Sequence, residues 1–325
     1  MTSTSAALDR PPADIVRNPR LFNAMLLVIV FVGGVCSVAI ELSAARLLGP
    51  FFGTSDIIWA NLIGLTLLYL SVGYFVGGKI ADRWPSATLL YVFTALAGFA
   101  TGLIPLIAHP ILEGSLIAFE HLAVGAFYGS LVGVLLLFAI PVTMLGFVSP
   151  FAIRLRVSSV SSAGNTAGSL YALSTVGSIL GSFLPVLILI PTIGTYQTFY
   201  ALSITLLVAS ALALFALHAR VHAVGAVALA LIVLLAARFW TSTIVRPPQI
   251  GTLIYQTESQ YNYIQVVKQG NTTMLMLDDG HAVHSIYNPM TEITGGPWDY
   301  FMVAPFFNPN ETPRDVHNVA LIGLA

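Results

Sequence analysis

The sequence predicts an α-helical polytopic membrane bundle of about seven spans, then a small β-hairpin/meander domain and the first strand of an incomplete Rossmann-like α/β domain. Three observations carry this. Of 325 residues, 57% are hydrophobic and 8% charged, with a mean hydropathy of +0.86, far outside the soluble globular range. Seven apolar runs can be judged against the roughly 20 residues a bilayer core requires. Only residues 255–325 form a long segment that water could solvate.

The seven runs are residues 22–47, 57–79, 87–108, 122–147, 168–190, 196–217 and 223–239, the last being the shortest. Residues 111–119 are apolar but hold Glu113 and Gly114, and read as interfacial rather than spanning. Residues 1–20 are polar, contain Pro11 and Pro12, and predict a disordered cytoplasmic tail. The apolar run that follows is too long for the core of a signal peptide, so it reads as an uncleaved first helix.

Orientation follows from the Lys and Arg residues of the short loops. Arg10, Arg17 and Arg20 precede the first span, Lys79 and Arg83 follow the second, Arg154 and Arg156 the fourth, and Arg220 the sixth. The alternate loops carry none beyond Arg46, which places the N-terminus in the cytoplasm of a multi-pass cell-membrane protein. Seven spans taken literally put residues 255–325 outside. A miscount at residues 223–239 would put them inside, so their side is left open.

Gly73/Gly77 and Gly177/Gly181 have the four-residue spacing that lets helix backbones approach closely, and tight packing is the plain reading, with pore lining the alternative. Glu41 and Arg46 are the polar membrane candidates. Five positions at 100° each set them about 140° apart on the helix, so each needs a partner elsewhere. Asp56, Asn61 and His109 are weaker cases. His218 and His222 have the spacing of a helical metal pair, but they flank Arg220 in a short loop with no third ligand. His281 and His284 face opposite ways on a strand, and no metal is assigned. Cys36, the single cysteine, reads as a small buried side chain and excludes an intramolecular disulfide. A net charge of −1 without a basic patch gives no case for nucleic acid; the lipid bilayer is the evident partner, with a homo-oligomer possible.

After a linker at residues 241–254, the soluble part begins with two β runs, 261–268 and 272–278, joined as a hairpin by Gln269-Gly270-Asn271. A third run, 281–287, extends the meander, and residues 298–307 have helical spacing. Residues 255–315 thus form one β domain, and residues 316–325 read as a parallel strand entering a glycine turn, the start of a nucleotide-binding domain cut short.

The soluble stretch resembles the polyamine aminopropyltransferases, the spermidine synthase family. The residues that carry the resemblance are Glu258-Ser259-Gln260-Tyr261-Asn262-Tyr263-Ile264-Gln265-Val266, Leu275-Met276-Leu277-Asp278-Asp279-Gly280 and Val319-Ala320-Leu321-Ile322-Gly323. The membrane stretches Glu41-Leu42-Ser43-Ala44-Ala45-Arg46, Gly77-Gly78-Lys79-Ile80-Ala81-Asp82-Arg83 and residues 171–194 resemble the membrane region of some bacterial members, which in turn is similar to half of a major-facilitator bundle. The resemblance implies aminopropyl transfer, with decarboxylated S-adenosylmethionine as co-substrate, no tightly bound cofactor, and a small-molecule amine as acceptor. In that reaction the amine nitrogen attacks the methylene beside the sulfonium, the carbon–sulfur bond breaks toward sulfur, and a carboxylate helps remove the ammonium proton.

Asn262, Asp278 and Tyr287 are the substrate-binding candidates on this resemblance, with Asp279 and Asp299 as further local carboxylates; the catalytic residues are not identifiable in this chain. The chain departs from the family at Asn262 and Val283, where the family has Gln, and residues 288–299 lack its acidic pair and Tyr-His. As an N-terminal fragment it is expected to be inactive alone. The alternative is a transporter or sensor of a small metabolite, carrying a degenerate synthase-like binding module.

Overall fold

Inside a bilayer the backbone has no water to bond, so a spanning chain must satisfy its polar groups within helices. The computed structural model describes residues 18–119, 121–122, 124–239, 244–277, 280 and 282–307. Its helices are α1 (Pro19–Phe52), α2 (Asp56–Arg83), α3 (Ala87–Phe119), α4 (Gly125–Gly146), α5 (Val148–Arg156), α6 (Val160–Leu184), α7 (Ile190–Ile193), α8 (Thr195–Ala216) and α9 (Arg220–Phe239). A π turn, Pro185–Leu189, joins α6 to α7. Among the described residues seven helical stretches are long and apolar enough to cross a membrane, α4 running on into α5 and α6 through the π turn into α7. The protein is a multi-pass membrane protein.

The described chain divides into two compact units. The first runs to Pro247 and also takes in Thr257–Tyr263; the second holds Pro248–Gln256 and the chain from Ile264 onward.

In the first unit α1 packs on α6 and α8, α2 on α4, and α3 on α4, α8 and α9. Lipid tails are as apolar as leucine, so helices associate where backbones can come close. A Cβ added to Gly73 would lie 2.9 Å from the Gly146 Cα, and one at Gly77 would lie 2.8 Å from the Phe147 Cα. On α6, Gly177 and Gly181 meet the Phe31 and Val35 carbonyls of α1 in the same manner. Both glycine pairs therefore pack helix against helix. Leu47, Phe51, Leu112, Phe138 and Phe199 fill one end of the interior, and Leu26, Leu90, Tyr91, Phe151 and Leu214 fill the other.

Buried hydroxyls mostly bond back to their own helix. Ser43 donates to the Ala39 carbonyl and Thr101 to the Ala97 carbonyl, which removes a polar demand without a partner helix. Asn61 instead crosses from α2 to α4, donating to the Phe127 carbonyl and the Ser130 hydroxyl, both at 2.9 Å.

Several boundaries differ from the sequence expectation. Residues 111–119 are no separate interfacial segment but the last turns of α3, which continues through Pro105 and Pro110. At about 1.5 Å per residue its 33 residues extend about 50 Å, more than the ~30 Å hydrocarbon core. α6 begins at Val160, eight residues before the expected start, because a serine-rich, weakly apolar stretch is still helical. α1 runs on to Phe52, through Pro50. Glu41 therefore lies eleven residues from the helix end, about 16 Å by rise, deeper than the sequence implies.

The second unit is built on an antiparallel meander in the order β1-β2-β3-β4. Its strands are β1 (Thr252–Glu258), β2 (Tyr263–Gln269), β3 (Thr272–Leu277) and β4 (Ala282–Tyr287). Gly270 at φ 60° makes the tight turn between β2 and β3, whose register pairs Gln269 with Thr272 and Val267 with Met274. Alternation sends Val267, Met274 and Met276 into a small core with Leu253, Val283 and Ile286. β1 starts inside the segment expected to be a linker. Residues 298–307, expected as one short helix, fall in two 3₁₀ turns, Pro297–Met302 and Ala304–Phe307. The expected strand at residues 316–325 and the tail at residues 1–17 lie outside the described residues.

Leucine at Gly73 or Gly181 would strike backbone and is expected to destabilise the bundle by about 3 kcal/mol. Leucine at Gly64, where nothing lies within 4 Å, should be neutral. Melting temperatures in detergent check the contrast. His218 holds φ 60° at the end of α8, a left-handed position that favours glycine, so His218→Gly should stabilise by about 1 kcal/mol in the same assay.

Candidate functional site

The first helix ends beside a turn that follows it by more than two hundred residues. The Arg46 guanidinium donates to the Tyr261 carbonyl at 3.0 Å and to the Ser259 carbonyl. The turn has its own frame: Ser259 N–H donates to the Asn262 carbonyl at 2.9 Å, and the Ser259 hydroxyl accepts from Asn262 N–H at 2.9 Å. One residue earlier, the Glu258 carboxylate accepts from Thr195 N–H at 2.8 Å and from the Thr195 hydroxyl. Thr195 opens α8, and a carboxylate there meets unsatisfied N–H groups and the positive end of the helix dipole.

A second fastening lies at the same end of the bundle. Arg246 donates to the Pro50 carbonyl at 2.6 Å, sits 3.6 Å from the Glu113 carboxylate, and lies over the Phe51 ring at 5.3 Å. The Tyr196 hydroxyl donates to the Val245 carbonyl and the Tyr263 hydroxyl to the Arg246 carbonyl, both at 3.3 Å. Arg246 has only 11% of its side chain exposed, so this ion pair works in a reduced dielectric. Residues 245–246 and 257–263 are thus strapped to the ends of α1 and α3 and the start of α8, where the chain also arrives from α9.

These contacts set the expected site residues in their places. Arg46 has the distant partner that its helical geometry demands. Glu41 joins neither fastening, and among the described residues no side chain pairs with it. Asn262 lies in the strapped turn, directly after Tyr261 and three residues after Ser259, whose carbonyls Arg46 holds. Tyr287 belongs to the second unit, where it ends β4 opposite Thr273 and is largely exposed. Asp278, Asp279 and His281 lie outside the described residues. Asp56 starts α2, and His109 stacks edge-on to Phe51 with centroids 6.0 Å apart. Among the described residues no group of three or more His, Cys, Asp or Glu side chains could hold a metal ion.

Asp299 accepts from Thr294 N–H at 2.9 Å, from the Thr294 hydroxyl at 2.7 Å and from Gly295 N–H at 2.8 Å. The Thr294 backbone bond, then its hydroxyl, hold the carboxyl below its usual range. It staples a turn and has little capacity left for an amine.

Three residues of these contacts escape sequence reasoning. Arg246 and Glu113 are separated by 133 positions, and neither belongs to a periodic pattern. Gln265 occupies an inward position of β2 between Tyr263 and Val267, is 3% exposed, and has its side-chain carbonyl against Gly280. Only its place in an alternating strand could have flagged it.

No protein-family profile, curated protein or solved structure matches this chain.

Two outcomes are expected. Arg46→Ala removes both carbonyl bonds and should weaken the strap by about 2 kcal/mol, seen as faster amide exchange at residues 259–263 with the bundle's exchange unchanged. Because Asp299 has its carboxyl lowered in the fold, its contribution is full above the unfolded value of 3.8 and is lost as pH falls through the lower folded one. Exchange at the Thr294 and Gly295 amides should therefore rise at acid pH beyond the intrinsic trend, and Asp299→Asn should abolish that dependence.

Proposed function

We propose that this chain is the membrane-embedded portion of a spermidine synthase-like protein, a seven-helix platform that carries the synthase-like β domain. The observation that carries the reading is the antiparallel meander β1-β2-β3-β4 that follows the last span in the chain, with the family-like Glu258–Val266 stretch running from the end of β1 into β2 and Leu275–Leu277 ending β3. The reaction is aminopropyl transfer from decarboxylated S-adenosylmethionine to a small amine, with residues 316–325 as the opening strand of the donor-binding domain. Asn262, Asp278 and Tyr287 contribute to the amine side. The seven spans form half of a major-facilitator-like bundle, with the N-terminus in the cytoplasm.

A specific observation favours a second reading. Seven spans put the start and the end of the bundle on opposite faces, and the Arg46 and Glu258 fastenings independently hold residues 257–263 at the α1 C-terminal end. Arg20, Lys79, Arg83, Arg154, Arg156 and Arg220 gather at the other end, which the positive-inside rule assigns to the cytoplasm. The donor is an intracellular metabolite, so holding residues 257–263 at the far end of the bundle favours binding or transport of an amine over its alkylation.

Equilibrium dialysis of the detergent-solubilised chain against radiolabelled diamine tests the shared premise. Saturable binding that Asp278→Asn weakens by about tenfold or more is expected, from the loss of a charge-assisted contact; no saturable binding overturns both readings. Uptake of the same diamine into vesicles then separates them. Accumulation that survives deletion of residues 248–325 identifies transport, and its absence leaves the synthase-like reading.

A further inference from the structure

The α8–α9 turn carries a feature that neither reading uses. An open crevice of about 350 Å³ runs between α3, α8 and α9, lined by Val92, Leu96, Leu214, His222, Gly225 and Leu229 among others. From Val221 to Leu229 it extends eight residues along α9, about 12 Å into the bundle's flank. Its walls are almost wholly apolar. One end is not: His222 lines it, His218 and Arg220 are exposed within the four residues before it, and among the described residues no carboxylate lines the crevice.

This end of the bundle also bears Arg20, Lys79, Arg83, Arg154 and Arg156. An apolar slot on the flank of the bundle, with His222 at one end and the exposed Arg220 beside it in sequence, matches a molecule with a long apolar tail and an anionic head. Basic pockets between spans on the positive face bind anionic lipid headgroups. The left-handed backbone of His218 turns the chain between α8 and α9, and Arg220 and His222 follow in the first turn of α9.

We propose that the crevice is a binding site for an anionic glycerophospholipid, one acyl chain lying along Gly225 and Leu229 and the phosphate held by Arg220 and His222. Gly225 is the position that leaves the slot open. A Cβ there would meet nothing within 4 Å, so a larger side chain can enter the crevice without displacing its neighbours.

The test uses the full chain in nanodiscs of equal phosphatidylglycerol and phosphatidylcholine, extracted into mild detergent, with retained lipid identified by native mass spectrometry. Wild type is expected to retain phosphatidylglycerol over phosphatidylcholine. Arg220→Gln should lower that retention about fivefold. Gly225→Leu, which fills the slot and favours the helix, should abolish retention of both lipids, while Val224→Leu on the neighbouring exposed surface should change nothing. Equal retention of the two lipids by wild type, or undiminished retention by a folded Gly225→Leu protein, overturns the proposal.

Discussion

Two charged side chains determine where the chain goes after it leaves the membrane. The Arg46 guanidinium holds two carbonyls of the turn at residues 259–261, and the Glu258 carboxylate closes the first turn of α8. Each uses a full charge against backbone dipoles, which makes stronger bonds than a neutral pair would. Both groups need this arrangement. An arginine at the end of a spanning helix must find acceptors, and a helix starting near the interface must find an acceptor for its free N–H groups. A single seven-residue stretch, Thr257–Tyr263, answers both demands and so belongs with the helices rather than with the strands around it.

The bundle beneath follows from the weakness of helix association in lipid. With no hydrophobic gain from contact, α1 meets α6 and α2 meets α4 where glycines remove side chains from the interface. Polar groups are few and mostly internal, with Asn61 the described side chain that ties α2 to α4. Such packing is intolerant of added bulk at a few points and indifferent elsewhere, since the outer faces of α2, α6 and α9 present large apolar side chains outward.

Much of this is legible in the sequence, for reasons that differ by element. Hydropathy gives the seven spans because the bilayer imposes both length and composition on each. The Gly73/Gly77 and Gly177/Gly181 pairs announce close approach because no other residue permits it. The hairpin at Gly270 is legible because the turn needs a positive φ. β1 is not legible: Thr252–Glu258 is short, half exposed and without clean alternation, and its partner strand defines it. Residues 111–119 mislead because Glu113 looks foreign to a helix until Arg246 is placed beside it. The strap itself joins residues 213 to 215 positions apart, and no local pattern encodes such a pairing. Of the two residues that helical geometry leaves in need of a partner, Arg46 meets backbone carbonyls, and among the described residues no side chain pairs with Glu41. Asp299, a further local carboxylate on the resemblance, spends its acceptors on a turn five residues away.

The account rests on the strapped turn and the N-terminal end of α1 lying on opposite faces of the membrane. Single cysteines introduced at Asn18 and Tyr261, in a Cys36→Ser background, can be challenged in intact cells with a membrane-impermeant maleimide. The account predicts labelling at Tyr261→Cys and none at Asn18→Cys until the membrane is opened. Labelling of both, or of neither, would contradict it.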